Sequence, residues 1–165
     1  MKKLFTLSNV LKMGAGLLGL VAFFLMFGYQ LYTKNGNTVS YAEFAGSLFG
    51  GDVKVAGVVI GSYKGAVISF VGYLLILLAG LGACALAFLK LDAKLRKIIS
   101  LALGGVLVVG AVFVFIVGGV FCGVNELDAG TYHAAFCPIF AGILALLAAV
   151  ATVASEFVPE KQLLK

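Results

Sequence analysis

Residues 65–89 read GAVISFVGYLLILLAGLGACALAFL, a stretch without a single charged side chain. About 20 apolar residues are enough for a helix to cross the roughly 30 Å of hydrocarbon in a bilayer. The stretch is apolar on every face, whereas a helix on the surface of a soluble protein keeps one polar face toward water. It therefore predicts a transmembrane helix.

Three further stretches share this character, and the four together occupy more than half of the 165 residues: 13–33, 65–89, 98–124 and 134–155. The chain is 62% hydrophobic and 12% charged, whereas soluble domains carry about 25% charged residues. We expect an all-α membrane protein, a single integral membrane domain that forms a bundle of four transmembrane helices in the lipid bilayer.

The first apolar stretch follows Met1-Lys2-Lys3, which resembles the basic start of a secretory signal peptide. Its uncharged run, 13–33, is longer than the usual core of about 7–15 residues, and no small-residue cleavage site follows it. We interpret the stretch as a signal-anchor helix that is retained in the protein.

The positions of Lys and Arg predict the orientation, because these residues are retained on the cytoplasmic side. Nine fall on one side of the alternating spans: Lys2, Lys3, Lys12, Lys90, Lys94, Arg96, Lys97, Lys161 and Lys165. The other side has three: Lys34, Lys54 and Lys64. We therefore predict a protein of the plasma membrane with both termini and the connection 90–97 in the cytoplasm, and with the loops 34–64 and 125–133 exoplasmic.

The first exoplasmic loop is too long for a simple turn. Ser40 and Glu43 fit a capping box, in which each side chain binds a free amide at the start of a helix, and this predicts a short helix at 41–49. The β-branched segment 53–60 is expected to be strand-like or irregular rather than an early start of the second helix. The helical alternative would align three glycines on one face: Gly57, Gly61 and Gly65.

Small residues recur at helical spacing within the predicted spans. Apolar side chains gain nothing by leaving lipid, so membrane helices associate through faces where their backbones can approach closely. Besides the three loop glycines, the candidate packing or partner faces are Ala79, Ala83 and Ala87 on the second helix, Gly119 and Gly123 on the third, and Ala141, Ala145 and Ala149 on the fourth. These residues predict either tight packing within the bundle or a face that binds a partner helix. Both can hold if different faces serve the two roles.

Cys122 and Cys137 fall at the predicted exoplasmic ends of the third and fourth helices. Antiparallel neighbours bring these ends together, and the exoplasmic side is oxidising. We predict a disulfide, which would stabilise the fold by about 3 kcal/mol. The alternative is a pair of reduced thiols in the protein interior.

The loop between these cysteines contains a candidate polar cluster: Glu126, Asp128 and His133. These side chains could bind a cation or a basic partner, or could form a solvated turn; one His is too few for zinc. The sequence contains no nucleophile–base pair and no metal or cofactor motif, so we predict no catalytic residues, metal or cofactor. The basic residues form no continuous stripe, and nucleic acid is not an expected partner.

Ionisable residues are absent from the depth of the predicted spans, which argues against a proton-coupled carrier. The layout of the chain resembles that of claudins, MARVEL proteins and tetraspanins, all of which have cytoplasmic termini and a longer first exoplasmic loop. The sequence lacks the Trp and paired Cys residues of the claudin loop and the Cys-Cys-Gly motif of tetraspanins. The resemblance therefore extends to layout alone.

These features predict a small, non-enzymatic tetraspan protein. We expect it to act as an accessory, scaffold or immunity-type subunit that binds a membrane-protein partner or forms a homo-oligomer. The alternative is a subunit of an oligomeric channel or small-solute transporter.

Overall fold

The computed structural model describes residues 6–35, 38–42, 44–55 and 58–158. It is mostly helical, and four helices are long and apolar enough to cross a membrane. In chain order the elements are α1 (Leu7–Phe24) with a 3-10 turn (Leu25–Phe27), β1 (Leu31–Asn35), β2 (Thr38–Ala42), α2 (Phe44–Phe49), β3 (Gly50–Val55), β4 (Val58–Lys64), α3 (Val67–Leu86), α4 (Ala93–Phe115), α5 (Val117–Val124), β5 (His133–Ala134) and α6 (Phe136–Ala154).

The four long helices form a ring in which each packs against the next one along the chain. Helix α1 packs on α3, α3 on α4 and α4 on α6, and α6 returns to pack on α1. Large side chains that are fully buried fill the interior: Tyr73, Ile76, Leu107 and Val114. The predicted helical bundle of four apolar spans is confirmed by the length and composition of these helices.

Glycines bring the helices into close contact. A Cβ added to Gly19 of α1 would lie 3.1 Å from the Cα of Gly80 in α3, and one added to Gly72 of α3 would lie 2.9 Å from the carbonyl oxygen of Gly110 in α4. Backbones that approach this closely are typical of helix packing in membranes. Gly72, Gly80 and Gly110 lie outside the small-residue faces that the spacing predicted.

The first helix differs from its predicted span of 13–33. It begins at Leu7, where the Thr6 side chain accepts a hydrogen bond from the Asn9 amide at 3.3 Å, and its helical structure ends at Phe27. The last residues of the predicted span, from Leu31 onward, belong to β1 instead. The earlier start places Lys12 inside α1.

The short strands gather at one end of the bundle, which we call the sheet end. Strand β1 pairs antiparallel with β2 on one side and with β5 on the other, and β3 and β4 form a separate antiparallel hairpin. Asn125 anchors that hairpin, because its side chain accepts from the Lys64 amide at 2.6 Å and donates to the Lys64 carbonyl at 2.8 Å. The opposite end, which we call the termini end, contains the start of α1, the α3–α4 connection and residues 155–158, which follow α6.

The strand-like interpretation of 53–60 is confirmed for 53–55 and 58–60, the described part of that segment. The predicted helix at 41–49 is shorter, since α2 begins at Phe44 and ends before Gly50, which has a φ of +81°. Ser40 lies in β2, so it does not precede a helix as the capping box required. Glu43 lies outside the described residues.

The third span is divided into two helices. Helix α4 ends at Phe115 and α5 begins at Val117, with Ile116 between them. Ile116 is bonded to both helices, since its amide donates to the Val112 carbonyl at 3.1 Å and its carbonyl accepts from the Val120 amide at 2.9 Å.

Candidate functional site

A buried group of charged side chains joins three helices at the termini end. The side chain of Lys12 is 0% exposed, and its Nζ lies 2.7 Å from Oε1 of Glu156. The Ser100 hydroxyl donates to the same oxygen at 2.8 Å, and Nε of Arg96 donates to Oε2 at 3.3 Å. We call these four residues the ionic cluster. The ionic cluster links α1 and α4 to the turn that follows α6.

The ionic cluster keeps Glu156 charged although its side chain is 3% exposed. Burial raises the pKa of a carboxyl, but hydrogen bonds from Lys12 and Ser100 and the positive charges of Lys12 and Arg96 outweigh burial and hold the pKa of Glu156 below its usual range. The desolvation of Lys12 is offset in turn by Glu156. Each charge therefore stabilises the other, an arrangement suited to holding helices together.

Sequence reasoning missed the ionic cluster, because it placed Lys12 before the first span and predicted no ionisable residue deep within any span. Lys12 is instead the sixth residue of α1, and its side chain is fully buried. A signal was present: Ser8, Lys12 and Gly16 follow one another at four-residue intervals and share a helix face. All three are buried.

A second buried group, without charge, lies toward the sheet end. The side-chain amide of Gln30 donates to the carbonyl oxygens of Leu25, Met26 and Gly28 at 3.1, 2.9 and 3.1 Å. Its Oε1 accepts a hydrogen bond of 2.8 Å from the Tyr73 hydroxyl. We call Gln30 and Tyr73 the neutral cluster. It closes the carbonyl end of the first helix and links it to α3.

Cys122 and Cys137 are free thiols, so the predicted disulfide is not formed in this structure. The sulfur of Cys122 lies 3.8 Å from the carbonyl oxygen of Tyr132. The sulfur of Cys137 faces Gly28 instead, where an added Cβ would collide with it. The two side chains therefore contact different parts of the sheet end.

The small-residue faces of α3 and α6 lie inside the bundle. Their alanines are buried: Ala79, Ala83, Ala87, Ala141, Ala145 and Ala149. Gly119 and Gly123 of α5 differ, because a Cβ added to either would have no heavy atom within 4 Å. These two glycines face open space.

The three loop glycines do not form a helical stripe. Gly61 lies in β4, opposite Val53 of β3. Gly65 follows β4, and a Cβ added there would collide with the backbone of Leu48 and Gly50. Gly57 lies outside the described residues.

The predicted polar cluster is spread along its loop. Glu126 and Asp128 are exposed, and Glu126 has a φ of +55°. His133 lies in β5, where the centre of its ring is 5.3 Å from that of Tyr32. Within the described part of the chain, no three His, Cys, Asp or Glu side chains are grouped as metal ligands.

A pocket of about 340 Å³ opens beside α5 at the sheet end. The side chain of Tyr132 borders it and packs against the rings of Phe121 and Tyr63, with ring centres 5.2 and 6.4 Å away. Burial and the neighbouring Tyr63 raise the pKa of Tyr132. The lining also includes Phe115, Gly118, Gly119, Cys122, Gly123, Leu127, Ala129, Gly130, His133 and Ala134.

A groove of about 440 Å³ runs between α4 and α6 on the outer surface of the bundle. Gly105 opens it, since a Cβ added there would meet no heavy atom within 4 Å. Val150 forms part of its rim and is 66% exposed. Every lining residue is apolar: Gly104, Gly105, Val108, Ala149, Val150, Val153 and Ala154.

The length and composition of the four helices define the chain as a multi-pass membrane protein. No protein-family model matches its sequence, and no curated protein matches it.

Proposed function

We propose that this chain is a non-enzymatic tetraspan protein of the plasma membrane that binds another membrane protein as an accessory, scaffold or immunity-type subunit. We also propose that both termini lie in the cytoplasm, because the α3–α4 connection and both terminal segments contain most of the basic residues. The groove between α4 and α6 is the observation on which the proposal depends.

The groove has the composition that suits a transmembrane helix. Gly105 is open, so the backbone of a second helix can approach closely at this position. Val108 and Val150 project beside this small-residue surface and provide dispersion contacts. An entirely apolar lining fits an apolar helix better than a polar solute.

The packing of the bundle interior favours binding over conduction by a single chain. Tyr73, Ile76, Leu107 and Val114 are fully buried between the helices. The alternative function, a channel or small-solute transporter, would therefore require several copies of the chain.

Photo-crosslinking in native membranes tests the proposal. A photoreactive amino acid at Val150, which is 66% exposed in the groove, should capture one defined membrane polypeptide. The same amino acid at Leu78 of α3, which is 64% exposed outside the groove, should not capture it. Gly105→Phe should remove the adduct from position 150 by filling the groove.

Gly14→Phe is the matched control, because a Cβ at Gly14 of α1 also has no heavy atom within 4 Å. This variant should leave the adduct intact. Equal capture from positions 150 and 78, or an adduct that survives Gly105→Phe, would contradict the proposal. Capture of a second copy alone would contradict it as well and would favour the oligomeric alternative.

A further inference from the structure

The α3–α4 connection and the first turns of α4 contain four basic residues within eight positions: Lys90, Lys94, Arg96 and Lys97. We call them the basic patch. The three lysines are exposed, and the side chain of Arg96 is 27% exposed. The one acidic residue within this stretch is Asp92. The patch therefore presents a net positive charge at the end of two spanning helices.

Glu156 does not neutralise the exposed part of the patch. Its carboxylate is buried, and both of its oxygens are bound within the ionic cluster, one by Lys12 and Ser100 and the other by Arg96. The exposed lysines remain available for an external anion.

Exposed apolar side chains surround these cations. Phe88, Leu89, Ile98 and Phe157 are each more than half exposed, and Nζ of Lys97 lies 4.7 Å from the centre of the Phe157 ring. Aromatic and basic side chains mix in this way at the depth where acyl chains meet headgroups. A lysine there keeps its stem in the apolar layer and its ammonium among the headgroups.

The start of α4 adds to the positive field. The helix begins at Ala93, and the side chain of Asp92 makes no capping hydrogen bond. The amino end of a helix has a partial positive charge that favours an anionic neighbour. This partial charge and the lysine ammonium groups therefore act in the same region.

We infer that the basic patch binds the headgroups of anionic phospholipids in the leaflet that surrounds it. The cations complement the phosphate, and the apolar side chains beside them contact the acyl chains. The apolar contacts select a lipid over a free phosphate ion.

Native mass spectrometry of the purified full chain in detergent tests this inference. Phosphatidylglycerol should bind more tightly than phosphatidylcholine with the same acyl chains, and the preference should decrease as ionic strength rises. A basic residue near an anionic surface changes affinity about fivefold. Lys94→Gln with Lys97→Gln should therefore reduce the preference by roughly 25-fold.

Lys34→Gln with Lys64→Gln provides the charge-matched control, since both lysines are exposed at the sheet end. This pair should leave the preference unchanged, and Lys94→Arg with Lys97→Arg should retain it. An equal loss in the sheet-end pair would contradict the inference, and so would a wild-type chain without a preference. Full displacement of the lipid by glycerol 3-phosphate would contradict the choice of a lipid as the ligand.

Discussion

The two ends of the bundle are each joined by a buried polar cluster, but one cluster is ionic and the other is neutral. At the termini end, Lys12 and Glu156 hold one another as charges 2.7 Å apart. Toward the sheet end, Gln30 and Tyr73 are linked by an uncharged hydrogen bond of 2.8 Å. Both clusters attach the first helix to a neighbour, so they differ mainly in what remains when one partner is lost.

When one residue of the ionic cluster is replaced, an unpaired charge remains buried. When one residue of the neutral cluster is replaced, an unpaired but uncharged polar group remains buried. A buried charge without its counterion is strongly destabilising, because its desolvation is no longer offset. A buried amide or hydroxyl without a partner costs less. The termini end should therefore be the more sensitive to substitution, and the following experiments measure the difference.

The largest effect is expected for Glu156→Gln, which removes the negative charge and nearly preserves the shape of the side chain. It leaves the Lys12 ammonium buried without a counterion, so the free energy of unfolding should fall by about 3–5 kcal/mol. Equilibrium unfolding in mixed micelles measures the change.

The double variant Lys12→Met with Glu156→Gln is the control, since it contains no buried charge at this position. It should recover much of the lost stability. A double variant as unstable as Glu156→Gln alone would show that the ion pair is not the source of the effect.

Acid should reproduce part of this loss in the wild-type chain. The pKa of Glu156 is lower in the folded state than its ordinary value of about 4.3, so in that range the unfolded state binds more protons. The stability from this group is present above the ordinary pKa and is lost as pH falls through the folded pKa. The free energy of unfolding, measured from pH 7 to pH 3, should fall more steeply in the wild type than in Glu156→Gln. Parallel curves would contradict the prediction.

The sequence predicted the four apolar helices because the length of an uncharged run is a local property. It could not predict that Lys12 is buried in an ion pair, since the counterion Glu156 is far away in the sequence. The spacing of Ser8, Lys12 and Gly16 indicated a buried face, but an isolated lysine at the end of an apolar run usually lies in the headgroup region.

The end of the first span illustrates the same limit. Residues 28–33 contain no charge, so the apolar run continued into them. In the structure, Gln30 binds three carbonyls at the end of the helical turn, and the chain continues as β1. That strand is paired on one side with the two residues of β5, a long-range contact that local pattern does not reveal.

A smaller effect is expected for Gln30→Met, which nearly preserves volume but removes every hydrogen bond of the amide. Three carbonyls and the Tyr73 hydroxyl each lose one hydrogen bond, and the free energy of unfolding should fall by about 2 kcal/mol. The same unfolding assay provides the measurement. A loss as large as that of Glu156→Gln would remove the contrast between the two clusters.

Tyr73→Phe should have a smaller effect still. It leaves the hydrogen bonds from the Gln30 amide to the backbone in place and removes one hydrogen bond between α3 and the segment that follows the first helix. Such bonds contribute about 0.6 kcal/mol in membrane proteins. If the bond is specific, the double variant with Gln30→Met should be no less stable than Gln30→Met alone; additive losses would contradict the pairing.

The smallest effect is expected in alkali at the sheet end, where Tyr132 lies in the loop between α5 and β5. Burial, together with the nearby Tyr63, raises the pKa of Tyr132 above its ordinary value of about 10. Above that ordinary value the unfolded state releases the phenol proton first, so the stability from Tyr132 is lost as pH rises through the folded pKa. The free energy of unfolding, measured between pH 8 and pH 11, should therefore decline slightly more in the wild type than in Tyr132→Phe.

The variant Glu156→Gln provides a control, because Glu156 is ionised throughout this range. Its free energy of unfolding should start lower than that of the wild type and fall with the same slope. A steeper alkaline decline in Glu156→Gln would mean that the two ends of the bundle do not respond to pH independently.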